Sequence, residues 1–256
     1  MLVVLSTVYR SLKYHSSRIS VKLVMILMQT HQYLLPSPFY IDTVLPMLEV
    51  NIHSDPHIIE YLGIKALRST HPGVRRLKRQ QQGHSAHGNK VWRSSFVLMD
   101  YLTTYPPEHN SSVLDIGCGW GLSGVFLAKH YAAKVTGIDI DQSVAPYFAL
   151  QAEVNQAVMD FKARSFESFS AAELAEFSMI IGADICFWDE MTTPLFELIG
   201  LALEAGVERI IIADPGRPPF WELVDLCAKT HDAEVVTRRI DHPWNTEKYI
   251  LIIDQT

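Results

Sequence analysis

The stretch VLDIGCGWG, Val113 to Gly121, sets three glycines at alternate positions directly behind an apolar run that carries one carboxylate. Without a Cβ, Gly117, Gly119 and Gly121 let the main chain turn sharply and lie against a ligand that any side chain would push away. The run SVLDIG, Ser112 to Gly117, reads as a buried strand, and LSGVFLAKHYA, Leu122 to Ala132, carries helical spacing. Strand, glycine loop and helix in that order place a ligand at the carboxyl end of a parallel strand and at the positive end of a helix dipole. That is the crevice of open α/β sheets.

Two cofactor classes use such a turn, and the spacing does not separate them. Gly119, Gly121 and Gly124 satisfy G-x-G-x-x-G, and Asp139 ends the next apolar strand, KVTGID, where a ribose-binding acid belongs. An NAD-binding oxidoreductase or a non-catalytic binding module therefore stays open. Asp115 favours the other class. It lies inside the first strand, where a dinucleotide strand normally shows an apolar residue, and a carboxylate there suits a ligand with an ammonium group. S-adenosylmethionine carries that group, a ribose for Asp139 and a sulfonium that needs no phosphate cradle.

The order of elements fits the same fold. A helix from about Trp92 to Thr103 precedes the first strand at Val113, and strands are expected at Lys134 to Ile138, near Val158 to Ala163, at SMIIGAD and at RIIIAD. Helices are expected over Val144 to Asn155, Ala171 to Phe177 and Thr193 to Glu204. Strands alternating with helices mean a mostly parallel, doubly wound, Rossmann-like α/β sheet. AEVVTRRI and KYILIID, separated by DHPWNTE, read as an antiparallel pair that closes it. Asp139, Asp184 and Asp214 all end strands, so they share one rim with the glycine loop. Ser165 and Phe166, just past the third strand, are placed to hydrogen-bond and stack on an adenine.

The stretch VLDIGCGWGLSGVFLAKHYAAKVTGIDID resembles motif I and the following acidic strand end of the class I, seven-β-strand, S-adenosylmethionine-dependent methyltransferases. HGNKVWRSSFVLMDYL, IIGADICFWDEM and IIIADPGRPPFWEL are similar to the lysine-methyltransferase branch, which includes the methyltransferases of the electron-transfer flavoprotein beta subunit and their bacterial relatives. This resemblance covers about Val91 to Thr256. It implies S-adenosylmethionine as cofactor, held by Trp92, Asp115, Gly117, Gly119, Gly121, Asp139, Ser165 and Phe166. It also implies an acceptor side built on Asp184, Phe187 and Trp188. The related lysine enzymes end their fourth strand in D-x-x-Y, whereas this chain reads Asp184, Ile185, Cys186, Phe187. The missing tyrosine hydroxyl keeps a small-molecule acceptor open beside a protein lysine.

A lysine acceptor, with a free pKa of about 10.4, must lose its proton before it attacks, and an apolar aromatic pocket lowers that pKa by desolvation. Trp92, Phe187, Trp188 and Trp221 are candidates for the pocket. Arg217, in the proline-rich loop DPGRPPFW, is expected to pair with Asp214 or Glu222 ahead of binding an acidic substrate.

With 256 residues, 48% of them hydrophobic, the chain can bury a full core. Its net charge of −6 hides an asymmetry: residues 1–100 hold 12 Lys/Arg against 5 Asp/Glu, and residues 101–256 hold 10 against 23. An acidic catalytic half would repel phosphates, which argues against a nucleic-acid substrate. The stretch between Glu60 and Asp100 has no acid and carries basic residues from Lys65 to Arg93. It reads first as a solvated connector and second as a docking surface for an acidic partner.

Cys118, Cys186 and Cys227 lie far apart without a C-x-x-C pair, so a disulfide framework or thiolate zinc site is not indicated and a cytoplasmic setting follows. His71, His84 and His87 lack the carboxylate or cysteine partners of a metal site. The apolar opening is broken by Arg10, Lys13, Arg18 and Lys22, short of the roughly 20 residues a membrane span needs, and no signal-peptide cleavage site follows it. Met25 and Met28 offer alternative starts, and residues 1–27 are expected to be an extension outside the native chain. Residues 1–90 are read as an N-terminal extension, with short pieces from Tyr33 to Lys65 folding onto a methyltransferase domain at 91–256. The oligomeric state is not legible.

Overall fold

The computed structural model describes residues 55–80 and 90–255. The expectations for residues 1–27 and 33–54, and for His84 and His87, fall outside them.

Seven strands form one sheet: β3 (Ser112–Ile116), β4 (Lys134–Asp139), β5 (Asp160–Ala163), β6 (Met179–Ala183), β7 (Arg209–Asp214), β8 (Ala233–Ile240) and β9 (Thr246–Asp254). Their order is β5-β4-β3-β6-β7-β9-β8, parallel throughout except for β9, which runs antiparallel to both neighbours. The apolar runs explain this. In β3, β6 and β7, and in the Ile250–Ile253 run of β9, almost every residue is buried, because helices cover both faces and alternate side chains enter opposite layers. Ile181, Ile211 and Ile252 enter one core, with Phe96 of α2 (Arg93–Thr104) and Phe126 of α3 (Leu122–Tyr131). Ile180, Ile212 and Ile253 enter the other, with Leu195 of α6 (Thr192–Glu204) and Phe220 of α7 (Pro218–Thr230).

Connections from β3 and β6 leave the sheet in opposite directions, so the strand order reverses between these two neighbours. The glycine loop follows β3 and Asp184 follows β6, and both therefore flank the topological switch point, where open α/β sheets bind ligands.

Ahead of the sheet, β1 (Ile58–Tyr61) and β2 (Ile64–Leu67) form a hairpin, followed by α1 (Pro72–Gln80). Both turn residues, Leu62 and Gly63, have positive φ, as a two-residue turn that matches strand twist requires. The Leu62 carbonyl is bonded to the His130 ring at the end of α3, at 2.9 Å. The buried Gln151 and Asn155 of α4 (Ala145–Asn155) bind the hairpin backbone, accepting from Leu67 N–H at 3.0 Å and Lys65 N–H at 2.8 Å. Removing the Gln151 amide would strand the buried Leu67 N–H, at a cost of about 1–3 kcal/mol.

The described part of the basic stretch from Lys65 to Gln80 thus forms a strand and a helix. Val74 of α1 is fully buried with Leu67, Trp120 and Tyr147, while Arg75, Arg76, Lys78 and Arg79 face solvent. Two further expectations change in extent. The helix expected over Ala171 to Phe177 closes after one turn, α5 (Ala171–Leu174), and β5 starts at Asp160, leaving Val158 exposed.

Candidate active site

A cavity of about 490 Å³ opens at the carboxyl rim of β3, β4 and β6, within the size range of small-molecule sites. Its first half is lined by Asp115, Gly117, Gly119, Asp139, Ser165 and Phe166. Its second half is lined by Trp92, Asp184, Phe187 and Trp188. Strand register explains the convergence, because Asp115 pairs with Gly137 on one side and Ile181 on the other, bringing three strand ends level.

The loop geometry shows what each glycine does. Gly119 has φ +52 and a Cβ there would meet nothing, so the loop surface at this point is open to a ligand. Gly121, at φ +72, lies behind the loop: a Cβ would stand 2.5 Å from the Phe148 ring, and the residue does not line the cavity. Its left-handed turn starts α3 while Phe148 fills the space behind.

The Asp115 carboxyl is only 3% exposed. Burial pushes its pKa up to about 7, against a lowering hydrogen bond from the Gly124 backbone, with Asp139 adding repulsion. Burial also raises Asp139, partly offset by N–H groups of Asp141 and Gly119, which donate to it at 2.9 and 3.0 Å. Burial raises the thiols of Cys118, Cys186 and Cys227 as well, which disfavours a thiolate nucleophile.

In the second half, Phe187 meets Trp92 edge-on at 5.1 Å between centroids and Trp188 at 5.8 Å. Asp184 has φ +58, a strained left-handed conformation that Asp tolerates better than most residues. Arg217 pairs with Asp214, as expected, and also with Asp184. Trp221 is not part of the wall; it packs against Tyr249 at 4.8 Å, drawn there by the apolar ring. Ser165 is turned to its own loop, where its hydroxyl donates to Glu167 and accepts from the Glu167 N–H.

Among the lining residues that the sequence did not single out, three bear on the chemistry. Ile140, 78% exposed directly after Asp139, presents an apolar side chain beside the ribose-type acid; its signal was an isoleucine just beyond a strand end. Lys90 places its ammonium 4.0 Å from the Trp92 ring centroid. Ser123 has a buried hydroxyl without a partner among the described residues.

These features fit S-adenosylmethionine. Ser123 offers an orphan hydroxyl, Gly119 an open surface, Asp115 a buried carboxyl for an ammonium, and Asp139 an acceptor for ribose hydroxyls.

Comparison with known proteins agrees. Residues 113–206 match the family described as a methyltransferase domain, which sets aside the dinucleotide reading that the glycine spacing left open. The chain is 28% identical over 131 residues to the electron transfer flavoprotein beta subunit lysine methyltransferase of Xenopus laevis, covering 50% of this chain and 52% of that protein. It is 29% identical over 118 residues to the mouse histidine protein methyltransferase 1 homolog, covering 41% and 32%. The chain thus spans about half the length, or less, of these curated relatives. The crystal structure of an S-adenosylmethionine-dependent methyltransferase from Agrobacterium tumefaciens shares the fold at a TM-score of 0.57 and 11% identity, over 78% of this chain and 70% of that one. Sheet order, glycine loop, the methyltransferase-domain match over residues 113–206 and the relatives converge: the chain resembles the class I, seven-β-strand, S-adenosylmethionine-dependent methyltransferases and, among them, their lysine-methyltransferase branch.

Proposed function

We propose that the protein is an N-methyltransferase acting on a protein side chain, with lysine as the acceptor, and that residues 91–256 form its catalytic domain and residues 1–90 an N-terminal extension. The observation that carries this reading is the continuity of one cavity from the Asp115–Gly119–Asp139 rim to the aromatic wall of Trp92, Phe187 and Trp188.

S-adenosylmethionine, when bound, supplies a methyl group made electrophilic by its sulfonium. Asp115 would hold the ammonium, Asp139 the ribose and Phe166 the adenine, while Ser165, bonded to Glu167, fixes the turn that presents Phe166. Gly117 and Gly119 admit the ligand to the main chain, and Gly121 sets the turn into α3. Trp92 borders both halves. The aromatic wall desolvates the incoming amine and so favours its neutral, nucleophilic form. Alignment of that nitrogen with the methyl group can supply several kcal/mol of the barrier without a strong base. The three unpaired cysteines are in keeping with a cytoplasmic enzyme.

A second reading, a small-molecule methyltransferase of the same fold, is favoured by Phe187 standing where related lysine enzymes carry the tyrosine of D-x-x-Y. Incubating the enzyme and tritiated S-adenosylmethionine with lysate from cells lacking the enzyme separates the two. Label in acid-precipitable protein supports the first reading, and label confined to the small-molecule fraction overturns it.

A further inference from the structure

Trp92 occupies the N-cap of α2, and an indole has no oxygen to accept from the first helical turn. The acceptor arrives from a residue 90 positions away: Oδ2 of Asp184 takes the Ser94 N–H at 3.0 Å. Oδ1 of Asp184 takes Nη2 of Arg217, also at 3.0 Å. Nη1 of Arg217 donates to Oδ2 of Asp214 at 2.5 Å, and Oδ1 of Asp214 accepts the Gly216 and Arg217 backbone N–H groups at 2.9 and 3.0 Å. The guanidinium lies 4.0 Å from the centroid of the Phe187 ring, and Phe187 returns to Trp92 at 5.1 Å. The contacts close a circuit from Trp92 through Ser94, Asp184, Arg217 and Phe187.

We propose that Arg217 is a positioning residue which, with Asp184, locks Trp92 and Phe187 into the acceptor wall, and that Asp184 acts through this lock and not as a proton acceptor. Three features support this. Both Asp184 oxygens are committed to donors, and the carboxylate is 6% exposed. Arg217 does not line the cavity, so its influence must pass through Phe187 and Asp184. The planar fork of a guanidinium binds two carboxylates while stacking on a ring, which the single ammonium of lysine cannot do. The lock joins the ends of β6 and β7 to the start of α2, three elements that otherwise contribute to the wall separately.

The inference rests on the acceptor wall of the proposed function, so its test includes a readout that needs no activity. In the full-length protein, the Trp92 indole resonance is assigned in a ¹⁵N correlation spectrum with Trp92→Phe. Arg217→Met is expected to shift or broaden it while sparing Trp120, and Arg217→Lys is expected to do the same to a lesser degree. An unmoved Trp92 signal overturns the lock, whatever the enzyme methylates. Transfer of tritiated methyl, into whichever fraction the wild type labels, should fall at least about tenfold in Arg217→Met, because small misplacements near a reacting centre cost tenfold to a hundredfold. Affinity for S-adenosylhomocysteine should fall much less than transfer does, since Asp115, Asp139 and the glycine loop are untouched and only Trp92, which borders both halves, is disturbed. Asp184→Asn with Arg217→Met should be no worse than the poorer single variant, because both break one circuit. Should Arg217→Met not fold, Arg217→Lys and the double variant, which leaves no unpaired Asp184 charge, carry the comparison. If Asp184→Asn abolishes the acidic limb of the pH–rate profile while Arg217→Met transfers at the wild-type rate, Asp184 is a base and the inference fails. Absence of any transfer in the wild type counts against the proposed function and leaves the spectral test of the lock intact.

Discussion

The Gly119 N–H donates to Oδ2 of Asp139 at 3.0 Å, fastening the glycine loop to the end of β4. One carboxylate therefore shapes the loop and faces the cavity that the loop borders. Asp139→Ala should weaken S-adenosylhomocysteine binding by roughly ten- to a hundredfold, since a hydrogen bond to a charged group contributes about 1.5–3 kcal/mol. Asp139→Asn, which can still accept from Gly119, should fall between. Calorimetric titration reads both, and wild-type affinity in Asp139→Ala would remove Asp139 from the cofactor site.

S-adenosylhomocysteine should raise the melting temperature and NADH should not, because a ligand that binds only the native state stabilises it. At a hundred times its dissociation constant the gain is about 2.7 kcal/mol, a shift of roughly 5–10 °C for a domain of this size. A shift with NADH alone would revive the dinucleotide reading of Gly119, Gly121 and Gly124.

Gly119 and Gly121 should part company when each becomes alanine. Both have positive φ, so each variant carries backbone strain of about 1–3 kcal/mol. At Gly119 the added methyl enters open space, and the variant should fold and lose cofactor affinity. At Gly121 it meets the Phe148 ring at 2.5 Å, and the larger loss should be in stability. Chemical denaturation and ligand titration of the two variants check the division.

The elements that the sequence announced most clearly are those whose signal is local. Alternating glycines after an apolar run marked the β3 turn, and acids ending apolar runs marked Asp139, Asp184 and Asp214. The N-terminal hairpin had a local signal too, since Leu62-Gly63 between IIEY and IKAL is a two-residue turn flanked by apolar strands. Other features are legible only in three dimensions. Asp184 directly follows β6, but its carboxylate accepts from the first turn of α2, far earlier in the chain. Nothing in the spacing of Arg217 and Phe187 predicts a guanidinium stacked on that ring, because two strands must first be placed side by side. Trp221 was misplaced for the converse reason: an aromatic near the rim can equally pack against β9.

Asp115 should impose a pH dependence on both stability and ligand binding. Its folded pKa is raised by burial to about 7, above an unfolded value of about 3.9. The free protein therefore gains protons on folding between these values, and this group's contribution to stability is full below about pH 4 and lost as pH rises through about 7. Asp115→Asn should flatten that part of the stability profile. An ammonium placed beside Asp115 favours the carboxylate, so binding of S-adenosylhomocysteine near pH 6 should release a proton and tighten as pH approaches 7. Titration calorimetry in buffers of different ionisation enthalpy measures the proton directly. Proton uptake at pH 6 would mean that the ammonium is held elsewhere.

The basic face of α1 gives the last expectation. Arg75, Arg76, Lys78 and Arg79 are all exposed, and none forms an ion pair among the described residues. Val74 anchors the helix in a cluster that contains Trp120, and Trp120 also lines the cavity, so these cations are carried on a helix packed beside the site. If the acceptor is a protein with an acidic surface, the cations steer its approach, and raising the salt should lower the association rate steeply. Neutralising the four together should raise the Michaelis constant for the protein acceptor and leave S-adenosylhomocysteine affinity unchanged, because none of them lines the cavity. A small-molecule acceptor would reach the site without that surface and show neither effect. Unchanged kinetics in the quadruple variant at low salt, with the acceptor identified by labelling, would return α1 to a solvated helix with no part in recognition.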